Sequence, residues 1–308
     1  MKRTTYIFGR WLGALLNGGE WLTYFLCYRK PPKDIKIDRK GKYGPGRHHR
    51  YHFIYRKNDN RKRPLMIYIH GGGFVSGLVR YRDAYCCRWA EKGFFAANIG
   101  YGYAPKAVFP TQIKECVAAV EKILDEAPKY NIDTSKILLA GESAGVYFAY
   151  YLARLGADPS YYDKLGIDFR YRDTFKVTAV ISICGAADIS GALDSHFPGI
   201  GLMVGCFFDK TLSEMKDARG TEAFKLLSPP VDEKVPPSVL IYATADPLKE
   251  ETFKLADLLK EKGVPHVMLV ADGKISAHAW AINTAYRRSR ELIDESASFL
   301  KNYFGIIP

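Results

Sequence analysis

The chain lacks any hydrophobic run long enough to cross a bilayer. Nowhere in its 308 residues do the roughly 18 consecutive apolar residues of a span occur. The first 28 residues are rich in Trp, Phe, Leu and Tyr, but Arg10 and Glu20 interrupt them and no small-residue cleavage site follows. Neither a secretory leader nor a membrane anchor is therefore expected. Cysteine is scarce and poorly spaced: Cys27, Cys86, Cys87, Cys116, Cys184 and Cys206 contain no CxxC pair, and the adjacent Cys86-Cys87 is a poor start for a disulfide framework. This argues against a structural metal site and a disulfide scaffold, and leaves reduced thiols in a cytoplasmic protein as the expectation. Internal repeats and low-complexity tracts are missing as well.

Acidic residues are also in deficit, 33 against 45 Lys and Arg, for a net charge of +12. Nearly all of the excess lies between Arg29 and Arg63, where fourteen Lys or Arg face only Asp34, Asp38 and Asp59. No nucleic-acid-binding motif accompanies this block, so no nucleic-acid partner is expected, and it reads first as a solvated lead-in to the first strands. Preceding it, Phe8, Trp11, Leu12, Leu15 and Leu16 line one helical face, Asn17-Gly18-Gly19 ends that helix, and Trp21, Leu22, Phe25 and Leu26 line a second. Two short amphipathic helices packed over the mouth of a site are expected. Attachment to an anionic membrane surface is the alternative.

What the chain does contain is a core. Hydrophobic residues make up 47% and aromatics 14%, enough for one large α/β domain with an elaboration or for two ordinary domains. Strand-like segments at 50–58, 65–69, 94–99, 136–140, 175–184, 237–242 and 266–270 alternate with helical ones at 82–92, 111–127, 146–155 and 251–262, and a C-terminal helix follows. This rhythm marks a mostly parallel sheet covered on both faces. It breaks between Asp188 and Val235, where scattered glycines and aromatics indicate an inserted lid. The expected organisation is N-terminal cap helices and basic lead-in over 1–45, a core over 46–187 and 236–308, and a lid over 188–235.

Two glycine-rich turns carry the chemical signal. Gly141-Glu142-Ser143-Ala144-Gly145 stands between a strand and a helix, so that Ser143 occupies the apex of a sharp turn beside free helix N–H groups. His70-Gly71-Gly72-Gly73-Phe74 follows another strand and allows backbone N–H groups to point at a ligand without side-chain obstruction. A serine nucleophile needs a base and a carboxylate to orient it. Asp246 directly follows the 237–242 strand, and His278 lies in the loop after the last strand. The order Ser, Asp, His suits a sheet-based acyl-transfer site. His266 opens a strand and is the weaker base candidate, while His48, His49 and His52 precede the serine and are out of order.

These residues, with Tyr101-Gly102-Tyr103-Ala104-Pro105, Phe109-Pro110, Asp133-Thr134-Ser135-Lys136-Ile137 and Asp246-Pro247-Leu248, resemble the hormone-sensitive-lipase-like branch of the α/β-hydrolase superfamily (the bacterial family IV type) over roughly residues 60–300. The resemblance implies an α/β-hydrolase fold with a helical cap. It implies Ser143 as nucleophile, His278 as general base and then acid, Asp246 as orienter, and the N–H groups of Gly71, Gly72 and Ala144 as oxyanion donors. His70, Gly73, Gly141, Glu142 and Gly145 would support them. The implied activity is carboxylester hydrolysis of a small-molecule ester with short to medium acyl chains, without metal or cofactor. An amidase or a carbohydrate or xenobiotic deacetylase shares the same triad, a non-catalytic receptor on this scaffold is a further reading, and a homo-oligomer stays open. The chain departs from the pattern at Gly102-Tyr103, Val146 and Ala279-Trp280, where Tyr103, Val146 and Trp280 are expected to reshape the substrate pocket.

Overall fold

Leu65 to Ile69 is an unbroken apolar run, and every one of its side chains is fully buried. A strand covered on both faces has that composition. The run lies in β3 (Arg63–Ile69) of an eight-stranded sheet that also contains β1 (Ile35–Lys42), β2 (Arg50–Arg56), β4 (Phe95–Ile99), β5 (Ile132–Glu142), β6 (Ala179–Ile183), β7 (Ser238–Ala243) and β8 (His266–Ala271). The strand order is β1-β2-β4-β3-β5-β6-β7-β8. β2 pairs antiparallel with β1 and β4, and every other neighbouring pair is parallel. The computed structural model describes residues 3–27, 30–228 and 231–305. Met1, Lys2 and Arg29, part of the basic N-terminal region, lie outside them.

Side chains alternate across the pleat, and the two faces build two cores. Leu65, Ile67, Leu139 and Leu240 join one core, against α3 (Thr111–Glu126) and α4 (Ala144–Ala157). Met66, Tyr68, Leu138, Val239 and Ile241 join the other, against α2 (Val79–Glu91) and α11 (Arg287–Phe304). The remaining long helices are α1 (Arg3–Cys27) and α10 (Lys249–Glu261), and α5 (Ser160–Leu165) is a short one after α4. Strand β1 falls inside the basic segment, and after the buried Ile35 its residues are all exposed or partly buried, as at a sheet edge whose charges reach solvent.

The segment 188–235 carries four short helices, α6 (Ile189–Asp194), α7 (Ile200–Phe208), α8 (Leu212–Asp217) and α9 (Glu222–Leu227). Asp188 and Ser228 tie its two ends together through a 2.6 Å hydrogen bond. Tyr147 and Tyr151 of α4 hold α9 by donating to the carbonyls of Leu227 and Leu226 at 2.6 and 2.7 Å.

The N-terminus departs from the sequence expectation. Instead of two helices separated at Asn17-Gly18-Gly19, α1 is one continuous helix of 25 residues. Gly18 and Gly19 sit on its open side, where a Cβ on either would have nothing within 4 Å, while neighbouring residues anchor the helix. Asn17 accepts from the Gly77 amide at 3.0 Å, and Glu20 pairs with Arg82 at 2.7 Å. The facing is also unlike the expectation: Leu12 and Leu16 pack inward, but Phe8, Trp11, Leu15, Trp21, Leu22, Phe25 and Leu26 are exposed. Glycine makes the close approach, since a Cβ on Gly13 would lie 2.4 Å from the Val75 carbonyl.

Phe207 of α7 joins the inserted segment to the core. It is fully buried, stacks on Phe74 with ring centroids 4.3 Å apart and meets Tyr147 and Phe148 edge-on. Phe207→Ala is expected to cost about 3–5 kcal/mol in chemical denaturation, with the cavity opening beneath the glycine-rich loop.

Candidate active site

Four loops at the C-terminal ends of β3, β5, β7 and β8 converge, as expected for a parallel sheet whose strand ends frame a crevice. At the end of β5 the backbone turns sharply at Ser143, with φ 53° and ψ −123°. A non-glycine residue holds this region only where its surroundings enforce it, at a cost of about 1–3 kcal/mol. Here the Ser143 amide donates to the Ile183 carbonyl at 3.0 Å. A Cβ on Gly145 would lie 2.1 Å from the Ile69 carbonyl, so α4 can begin against β3 only with glycine at that position.

Ser143, His278 and Asp246 come together. His278 Nε2 lies 2.8 Å from Ser143 Oγ, and its Nδ1 is 3.0 Å from both carboxylate oxygens of Asp246. Since a carboxylate only accepts, Nδ1 carries the proton and Nε2 presents its lone pair to the serine. The Asp246 side chain is fully buried and also accepts from the Leu248 amide at 2.8 Å. Burial together with the negative charge of the same carboxylate pushes the Cys184 thiol pKa up. Phe197, from the inserted segment, packs edge-on against the His278 ring at 4.6 Å. His266 stands apart, bonded to the Val264 carbonyl, and His49 and His52 pair with Glu115 and Asp83 away from the serine.

The glycine-rich loop is organised by Glu142, the residue before the serine. This fully buried carboxylate accepts from the Gly71 amide at 2.8 Å, from the Tyr68 hydroxyl at 2.5 Å and from Arg82 Nε at 2.7 Å. The Gly71 N–H is therefore spent on Glu142, a correction to its expected place among the oxyanion donors. Gly73, expected only as support, lines the pocket beside Ser143 and Ala144. His70 is fully buried and stacks on Tyr101 at 4.4 Å, with Nδ1 2.7 Å from the Gly71 carbonyl. Burial first, then the nearby Arg82 charge, lowers its pKa to about 3. It is a neutral strut across the physiological range.

A largely apolar pocket of about 390 Å³, its open mouth included, adjoins Ser143, with Phe197, Ile200, Met203 and Val204 forming one wall and Ala186 and Leu248 also contributing. Tyr103, Val146 and Trp280 are not among its lining residues. Tyr103 instead bonds to the Gly77 carbonyl and packs on His48, Val146 is fully buried, and Trp280 packs on Tyr286. No cluster of three or more His, Cys, Asp or Glu suited to a metal occurs among the described residues.

Arg82 and Glu20 had no signal in the sequence, because the contact that unites them with Glu142 spans three separate elements. Burial opposes the Arg82 charge, but the two carboxylates outweigh it and hold its pKa well above the ordinary value. Burial likewise works against the Glu20 charge, yet Arg82 prevails and lowers its pKa. A lowered carboxylate pKa stabilises the fold above the ordinary glutamate value of 4.5, and that contribution is lost as pH falls through the lower folded value. Arg82→Met should cost about 3–5 kcal/mol, because it leaves a buried carboxylate unpaired. It should also lessen this acid sensitivity, both readable from denaturation midpoints across pH.

The BD-FAE family model matches residues 53–259. Esterase LipI of Mycobacterium tuberculosis is 25% identical over 215 residues, which are 67% of this chain and 63% of that protein. Mouse hormone-sensitive lipase is 36% identical over 86 residues, 28% of this chain and 11% of the lipase. The chain thus spans less than two thirds of the length of either relative. Among solved structures, esterase B from Lactobacillus rhamnosis superposes with a TM-score of 0.76 at 19% identity, covering 96% of this chain and 95% of that one. The chain belongs to the BD-FAE family, has the α/β-hydrolase fold and is similar to hormone-sensitive lipase over the 86 matched residues.

Proposed function

We propose that the protein is a serine carboxylesterase that hydrolyses short- to medium-chain acyl esters through an acyl-enzyme on Ser143. The observation that carries this reading is the hydrogen-bonded relay from Ser143 through His278 to Asp246, with His278 Nε2 2.8 Å from the serine oxygen and its Nδ1 3.0 Å from Asp246. As Ser143 Oγ attacks the ester carbonyl carbon, its proton passes to His278 Nε2, and the carbonyl electron pair moves onto oxygen. Asp246 stabilises the resulting imidazolium and keeps the ring in the required tautomer.

The oxyanion is received by the N–H groups of Gly72, Gly73 and Ala144. Among the described residues, the Gly72 and Gly73 amides have no other acceptor, and Gly73 and Ala144 border the pocket next to the serine. The N-terminal end of α4 adds its positive dipole at the same place. Collapse of the tetrahedral intermediate breaks the bond to the alkoxy oxygen, and His278 protonates the departing alcohol. Water then repeats the sequence on the acyl-enzyme, which releases the acid and regenerates Ser143.

The pocket wall supports the acyl-length assignment, because Phe197, Ile200 and Met203 bound the apolar space beside the serine. Turnover of p-nitrophenyl esters should be highest for short to medium acyl groups. Met203→Ala should raise relative kcat/KM for longer esters by roughly tenfold, the worth of a methylene or two in an apolar pocket. Ser143→Ala should lower kcat by about 10⁴-fold or more and abolish labelling by a fluorophosphonate. Comparable turnover by the mutant would sink the esterase mechanism, and a folded wild type that resists labelling would favour a non-catalytic receptor.

A further inference from the structure

Helix α1 turns its largest apolar side chains away from the protein. Phe8, Trp11, Leu22 and Phe25 are 64%, 71%, 63% and 79% exposed, and Ile7 and Leu15 continue the same stripe. The inward side is built instead from Gly9, Gly13, Leu12, Leu16 and Glu20. The stripe runs along a helix of 25 residues, about 37 Å at the usual rise. Isolated exposed apolar residues are ordinary, but a continuous row on one helix marks a docking surface.

The charges around the stripe identify its partner. The helix's one acidic residue, Glu20, is turned inward onto Arg82, so no carboxylate interrupts the outer face. Arg10 is exposed on its flank. At its C-terminal end Arg80 is exposed and donates to the Tyr24 hydroxyl at 3.0 Å, and Lys30 lines a cleft with Tyr24 and Arg80. Among the described residues, Arg10, Lys30 and Arg80 form no ion pair with a carboxylate, although many cations elsewhere on the surface do. A second copy of the chain pairing through this stripe would bring these cations together. Anionic headgroups would neutralise them while acyl chains receive the aromatic row. No helix among the described residues is long and apolar enough to cross a membrane, so the helix would lie in the surface.

We propose that α1 docks the protein on an anionic lipid surface, its apolar stripe in the interface and Arg10, Lys30 and Arg80 on the headgroups. The inner side of α1 touches the site's own loops. Asn17 holds the Gly77 amide at 3.0 Å, Gly13 lies against Val75, and Leu12 approaches Gly199 just before α7. Docking therefore sets the pocket mouth beside the lipid, and amphiphilic esters dissolved in that surface are its substrate class. This last step rests on the esterase reading. The docking itself does not.

The test is co-sedimentation of the full chain with phosphatidylcholine vesicles, with and without phosphatidylglycerol, while Trp11 and Trp21 fluorescence is followed. Wild type should partition at least roughly tenfold more strongly onto anionic vesicles, with a blue shift of emission that salt reverses. Phe8→Ser/Trp11→Ser/Leu22→Ser/Phe25→Ser should abolish binding, and Arg10→Gln/Lys30→Gln/Arg80→Gln should remove the preference for anionic lipid. Both should keep wild-type turnover of p-nitrophenyl acetate, which reports folding, and the charge variant tests the proposal even if the apolar one is unstable. Ser143→Ala should bind vesicles like wild type, separating docking from catalysis. Equal partitioning onto neutral and anionic vesicles, or no binding at all, would overturn the proposal. So would a wild-type dimer that the apolar substitutions convert to monomer without any effect of lipid.

Discussion

The buried carboxylate of Glu142 is the contact on which the site's architecture depends. It sits one residue before Ser143, at the end of β5, and accepts from Gly71 in the loop after β3, from Tyr68 within β3 and from Arg82 in α2. Its position is set by the same turn that raises the serine, so loop and nucleophile share one reference point. An uncompensated charge in such a place would be strongly unfavourable, and several converging donors are what make it tolerable. Arg82 extends the network to Glu20 and thus to α1. A helix on the outside of the molecule is thereby joined electrostatically to the backbone that flanks the reactive oxygen.

Two kinds of rigidity meet at this point. The sheet supplies one: β3, β5, β7 and β8 end on the same edge, and their closely packed faces leave the strand ends little freedom. The inserted segment supplies the other, because Phe207 stacks on Phe74 immediately after the glycine run and Phe197 packs against His278. The segment that bounds the pocket also supports the loop beside the serine and the ring of its histidine. Pocket shape and site geometry are consequently coupled, and changes to the wall are felt by the groups that face it.

Much of the fold was legible because its signals are local. Apolar runs bounded by turn residues located the inner strands, and Gly141 to Gly145 marked the turn because two close backbone approaches leave no room for a Cβ. Asp246 and His278 could be selected by their place after strands. The N-terminal helix resisted the same reading. Gly18 and Gly19 look like a stop, but the anchoring of Asn17 and Glu20 by Gly77 and Arg82 carries the helix through them. Strand β1 was hidden in a run of charges, since an edge strand needs little apolar residue on its open side.

The sequence by itself determined the order of the inner strands and the helices between them, the sharp turn at Ser143 and the residues brought to the sheet's C-terminal edge, because periodicity, glycine placement and chain order act over short distances. Only the tertiary structure decided which glycine amide is free, since the Gly71 N–H is taken by a carboxylate 71 residues away in the chain. It likewise decided which face of α1 meets solvent. An amphipathic pattern records that a helix has two faces, whereas the surface it packs against selects the one that is buried.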